Sequence, residues 1–119
     1  MKNRQFYQRF GFAWAGVVSA WQSEKSFRTQ LLLALLLLPL MLWLQPSLLW
    51  WAVMVLAGAL VLAAELFNTA LEHLIDHLHP EIHPSIKVAK DCAAGAVLVL
   101  SMAAIVIMAC MLWATLIGR

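Results

Sequence analysis

Charge is what this sequence has least of. Lys, Arg, Asp and Glu make up 12% of its 119 residues, whereas 64% are hydrophobic. Soluble domains carry about 25% charged residues, so half of the usual solvating groups are missing. A water-soluble chain of this length would leave its apolar surface bare, and lipid must cover it. The charges present nearly cancel, to a formal +2, which gives no bulk electrostatic reason to bind nucleic acid. Cysteine is scarce as well. Cys92 and Cys110 lie far apart in apolar sequence, without C-x-x-C or zinc spacing, and read as small packing residues. Gly11, Gly16, Gly58, Gly95 and Gly118 form neither G-x-x-x-x-G-K nor G-x-G-x-x-G, which excludes the conventional nucleotide folds. The N-terminus lacks the pattern of a signal peptide, because Trp14 and Trp21 interrupt its weakly apolar part and Glu24, Lys25 and Arg28 follow; it reads as mature sequence.

What is present is long apolar sequence. Three uncharged stretches run from Thr29 to Leu44, from Gln45 through Ala64 and from Cys92 to Gly118. A membrane span needs about 20 residues, so the first stretch borrows Ser26 and Phe27. Gln45-Pro46-Ser47 reads as a tight turn with Ser47 as helix N-cap. Pro39 is placed to kink the first span, which membranes tolerate. The second helix continues past Ala64 to about Leu78 and leaves the bilayer; His79-Pro80 ends it and His83-Pro84 marks the next loop. The third begins near Ile86. These signals predict spans over about 26–44, 48–78 and 86–117. Ahead of them, residues from about 4 to 24 form an amphipathic helix. Phe6, Phe10, Trp14, Val17, Val18 and Trp21 recur on one face at spacings of three and four, as suits a helix in the headgroup layer. The expected fold class is an all-α membrane protein, a single domain over residues 1–119 with a surface helix and three spans.

Five of the eight Lys and Arg residues (Lys2, Arg4, Arg9, Lys25, Arg28) precede the first span, and Lys87 and Lys90 follow the second. None lies in the 45–47 turn, and Arg119 alone marks the far side. By the positive-inside rule the N-terminus and the 79–89 loop are cytoplasmic, facing the compartment that holds ATP.

The informative segment runs from Ala63 to Val97. On a helix, Glu65, Asn68, Glu72 and Asp76 share one face. Ionisable residues in a span are functional candidates by default. Lys90 and Asp91 head the third helix at the same level, and Glu24 and Arg28 sit where the first span begins. Hard oxygen ligands at separated positions suit magnesium, which takes one or two carboxylates plus phosphate oxygens. Glu65, nearest the apolar interior and so least hydrated, is the candidate general base. A metal, a cation and a base are the parts that phosphoryl transfer needs. A structural polar seam is the plainer alternative; Asn68 and Thr69 would supply that alone, at about 1 kcal/mol per interhelical bond, and three acids on one face repel without cations. His73 and His77, at i and i+4 beside Asp76, brush against the H-x-x-E-H zinc pattern, but the acid is wrong and the pair points away from the Glu65 face. They do not read as a zinc site.

Taken together, Glu65-x-x-Asn68-x-x-x-Glu72-x-x-x-Asp76, Glu81-x-His83 and Ala89-Lys90-Asp91-x-x-Ala94-Gly95-Ala96-Val97 resemble the signature of the prokaryotic diacylglycerol kinase and undecaprenol kinase family. Gly11-Phe12-x-x-x-Gly16 and Glu24-x-x-Phe27-Arg28 are similar to its N-terminal motif. The resemblance covers nearly the whole chain. It implies a homotrimer of three-span subunits with active sites shared between neighbours. Carried over by position, it implies that Glu65 is the catalytic base and that Glu24 and Glu72 hold magnesium. Phe12, Glu24, Asn68, Glu72, Asp76, Glu81, His83, Lys90 and Asp91 would bind ATP, and Trp21, Phe27, Arg28, Glu65 and Ala94 the lipid. The sequence departs from the family at Phe12, where Tyr is frequent, and at Gln30, where an acid is frequent. Its N-terminal Arg, Arg4, falls one residue before the expected position, Gln5.

The function implied is transfer of phosphate from ATP-magnesium to diacylglycerol at the bacterial inner membrane. Undecaprenol kinase is the alternative within the family, because either lipid offers one hydroxyl on an apolar tail. A small proton-coupled transporter is the alternative of another class. Such a protein would carry its acid mid-bilayer in an early span, have four spans, and lack a Lys-Asp pair at a helix mouth.

Overall fold

A computed structural model describes residues 5–81 and 83–118 of the chain. Expectations that fall on Lys2, Arg4 and Arg119 lie outside the described residues. The chain folds as α1 (Phe6–Ser23), α2 (Lys25–Leu44), α3 (Leu48–Leu78) and α4 (Pro84–Leu112), with a terminal π turn over Trp113–Ile117. No strand occurs among the described residues. Among the described residues three helices are long and apolar enough to cross a membrane: α2, α3, and α4 with its π turn. In hydrocarbon every backbone polar group must find its partner within the segment, and a helix does this.

Each boundary has a local cause. Glu24 alone separates α1 from α2, in extended conformation (φ −119°, ψ 108°), while its N–H still bonds Ala20 O at 2.8 Å. The last carbonyls of a helix lack intrahelical donors; here Arg28 Nη1 donates to Trp21 O at 2.9 Å and Gln22 O at 3.3 Å, tying the end of α1 to α2. Helix α2 continues unbroken through Pro39 and ends at Gln45 in the left-handed region (φ 51°). Ser47 is the N-cap of α3 by position, but its side chain makes no capping bond; its carbonyl accepts from Trp50 N at 3.0 Å. Helix α4 starts at Pro84, two residues before the position read from sequence. Pro at the first helical position needs no N–H partner, and His83 Nδ1 caps the end by accepting from Ser85 N at 3.1 Å. At the other end Gly118 N reaches back to Trp113 O at 3.0 Å, closing the π turn.

Helix α3 is the axis of the molecule, packing against α4, α2 and α1. Its buried face runs Met54, Ala57, Val61, Glu65, Thr69, at helical spacings of three and four. Near the 45–47 turn this face joins a core of Met41, Leu44, Met54 and Met111. Towards the other end the same face turns polar at Glu65. With 31 residues at 1.5 Å rise, α3 is about 46 Å long, well beyond a hydrocarbon layer of about 30 Å. One end must therefore project.

Helix α1 leans on α2 and α3. Ala20 is buried and Val17 half-buried, but Phe6, Phe10, Trp14 and Trp21 remain exposed. Helix α4 buries only Met111. The chain thus presents apolar side chains on most of its outer surface, as a solvent of lipid permits.

Candidate functional site

Burial grades along α3. Glu65 is 2% exposed, Asn68 and Glu72 are half-buried, and Asp76 is exposed. The gradient follows from a rotation of 100° per residue laid along a helix whose end leaves the bundle. Each acid meets a different partner. Ser26 Oγ, at the start of α2, donates to Glu65 Oε1 at 2.7 Å. Thr69 Oγ donates to the main-chain oxygen of Glu65 at 2.8 Å. Asn68 Nδ2 donates to Glu72 Oε1 at 3.4 Å, and Asn68 Oδ1 is buried with no partner among the described residues. Further out, Lys90 Nζ bridges from α4 to Asp76 Oδ1 at 2.7 Å. Lys87 pairs with Asp91 Oδ2 at 2.7 Å along α4 itself.

The structure thus sets Glu65, Asn68, Glu72 and Asp76 along a strip of α3, with Lys90 joined to Asp76 from α4 and Ser26 to Glu65 from α2. Glu24 is half-buried at the α1–α2 joint, two residues from Ser26. Asp91 lies one residue past Lys90 but is turned to Lys87. Glu81 and His83 are exposed in the α3–α4 loop, where Glu81 pairs with His79 at 3.3 Å. Phe12 is half-exposed on α1. Of the lipid candidates, Phe27 is packed inside at 2% exposure, Arg28 binds the carbonyls of α1, and Trp21 and Ala94 are exposed. His73 and His77 are exposed. Among the described residues no three His, Cys, Asp or Glu side chains converge as a ready-made metal cage. Cys92 and Cys110 are free and exposed.

Below the strip lies a groove of about 450 Å³ among α2, α3 and α4, lined by Gln30, Ala34, Leu37, Gly58, Val61 and Ser101 among others. Val61 is one turn from Glu65 and Gln30 one turn from Ser26, so the groove's lining comes within a helical turn of their hydrogen bond. Gln30 Nε2 donates to Ser101 Oγ at 3.3 Å, joining α2 to α4. Sequence reasoning singled out neither Ser26 nor the Gln30–Ser101 contact as site features. Ser26 carries a weak signal, a hydroxyl two residues past an acid at a span mouth, but no one-dimensional pattern pairs it with residue 65.

Fold and site together define a polytopic helical membrane protein with a graded row of acids leading from its interior to one mouth. Comparison with known proteins narrows the class. The prokaryotic diacylglycerol kinase profile matches residues 11–112. A diacylglycerol kinase of Synechocystis sp. is 38% identical over 104 residues, 87% of this chain and 59% of that protein. The diacylglycerol kinase of Escherichia coli is 29% identical over 103 residues, covering 87% and 84%. The undecaprenol kinase of Bacillus subtilis is 31% identical over 103 residues, again 87% and 84%. The chain belongs to the prokaryotic diacylglycerol kinase family.

Proposed function

We propose that the chain is a lipid kinase that transfers the γ-phosphate of ATP to the hydroxyl of diacylglycerol, giving phosphatidic acid. The observation that carries this reading is Glu65: a carboxylate 2% exposed, on a span, at the top of an apolar groove and at the inner end of a polar strip. The lipid approaches along the groove with its acyl chains in apolar surroundings. Glu65 takes the proton of its hydroxyl; the lipid oxygen forms a bond to the γ-phosphorus, and the bond from that phosphorus to the β–γ bridging oxygen breaks, releasing ADP. Asp76, Lys90 and Asp91, with Phe12, Glu81 and His83, hold the nucleotide on the outer side of the strip.

Glu24 and Glu72 would hold magnesium together with ATP. The donor set suits it, being oxygen throughout, and a site with one or two carboxylates is what magnesium shared with phosphates uses. Asn68 Oδ1, buried without a partner among the described residues, is a further oxygen able to accept from a bound water. Bound there, the ion would offset the charge of the phosphates. Asn68 orients Glu72 through its amide N–H. We read the chain as one domain in the bacterial inner membrane, with the N-terminus and the strip cytoplasmic and α1 in the headgroup layer. Its assembly is a homotrimer with shared sites.

A second reading, undecaprenol kinase, is favoured by one observation: the relative of that name is as similar to this chain as the Escherichia coli diacylglycerol kinase. Purified protein with magnesium and labelled ATP, offered the two lipids side by side in mixed micelles, decides. Phosphatidic acid is the expected main product. Label entering undecaprenol alone would reverse the order of the two readings, and label entering neither would remove the kinase reading.

A further inference from the structure

Ser26 is the second residue of α2 and falls on an unspecified position of the Glu24-x-x-Phe27-Arg28 motif. A serine near a helix start ordinarily bonds a nearby backbone carbonyl, as Ser23 does with Ser19 O at 2.8 Å. Ser26 passes over that local partner. Its hydroxyl crosses to another helix, 39 residues away in sequence, and donates to Glu65 Oε1 at 2.7 Å. The other polar groups nearby are engaged elsewhere: Thr69 with the Glu65 main chain, Asn68 with Glu72, and Lys90 with Asp76. Among the described residues Ser26 is therefore the donor that meets the buried carboxylate.

A glutamate side chain turns about three torsions, and an acid–base group works only when its oxygen lies within hydrogen-bond reach of the proton that it takes. We infer that Ser26 is a positioning residue for the reaction: its hydroxyl fixes Glu65 through Oε1 and leaves Oε2 as the oxygen that receives the lipid proton. The inference rests on the reading of Glu65 as the general base. It also accounts for the bond's location at the top of the groove, where Gln30 and Val61 line the wall one turn below. A lipid hydroxyl arriving there meets a carboxylate already held from the α2 side.

The test uses Ser26→Ala and Ser26→Thr in the full-length protein. Loss of the hydroxyl should lower kcat by about tenfold to a hundredfold, with KM for ATP and for lipid changing by less than about threefold. Ser26→Thr restores the hydroxyl, and the added methyl has room because position 26 is exposed; kcat should return to within a fewfold of wild type. A Ser26→Ala kcat within about twofold of wild type, or a fall that threonine does not reverse, would overturn the inference. A second readout needs no phosphoryl transfer. Dicyclohexylcarbodiimide labels buried carboxyl groups, and mass spectrometry of the peptide containing Glu65 gives the rate, with Glu65→Gln as the blank. Freed of its hydrogen bond in Ser26→Ala, Glu65 should label several times faster. Equal rates in the two proteins would sink the positioning role. If wild type phosphorylated no lipid, the kinase reading would fall and the labelling would still decide whether Ser26 holds Glu65.

Discussion

At the scale of single residues, Glu65 sets the problem. Burying an ionised carboxylate in apolar surroundings is costly unless it is hydrogen-bonded, and the chain supplies one bond from Ser26. A structural seam would not need an acid there, since a neutral amide would accept the same interhelical bond from Ser26. Replacing Glu65 with Gln keeps the shape and the acceptor for Ser26 but removes the proton acceptor. Turnover of Glu65→Gln should therefore fall by roughly 10²–10⁴-fold. ATP-magnesium affinity in the same detergent preparation should change far less, because Glu24 and Glu72 remain. Survival of turnover within a fewfold would make Glu65 a seam residue after all. The row from Glu65 to Asp76 was legible in the sequence because helical spacing alone puts those residues on one face. The cross-helix partners were not: Ser26 and Lys90 are common side chains, and what each touches depends on how neighbouring helices lie.

At the scale of elements, α3 joins two environments. Its first half buries Met54, Ala57 and Val61 against the apolar core, and its second half carries the acids out of the bundle. About 46 Å of helix against about 30 Å of hydrocarbon leaves roughly ten residues projecting, and the Lys and Arg distribution chooses which end. The turn at 45–47 should then lie outside the cell. Ser47→Cys, in a chain with Cys92 and Cys110 replaced, should react with an impermeant thiol reagent added to intact cells. Labelling that requires lysis would place the acids on the side without ATP. Three membrane-capable helices and the 45–47 turn are legible from apolar runs and Pro46. The sequence pattern places the start of α4 two residues late, because Pro84 reads as loop punctuation but is the first residue of the helix, capped by His83.

At the scale of the whole molecule, exposed apolar surface says little about assembly, since lipid covers it as well as a second subunit would. Polar groups are the better guide. Asn68 Oδ1 is buried and unpartnered among the described residues, and Gln30 and Ser101 make the groove wall polar at one level. A homotrimer is the assembly proposed for this chain on the family resemblance. Native mass spectrometry from detergent should show three 13.3 kDa chains per particle. A monomer retaining full activity would remove shared sites from the mechanism.

The sequence alone determined that this chain lives in lipid, how many times its helices can cross, and which acids share a face. Those properties depend on composition and on helical periodicity, which are local and survive any rearrangement of the bundle. Tertiary structure decided the rest. It placed Glu65 inside and Asp76 outside, paired Lys90 with Asp76 across two helices, and set Ser26 against Glu65. It also turned Arg28 back onto the end of α1. The reason is physical: burial and hydrogen bonding are fixed by the distance between side chains on different helices, and that distance exists only once the helices have packed.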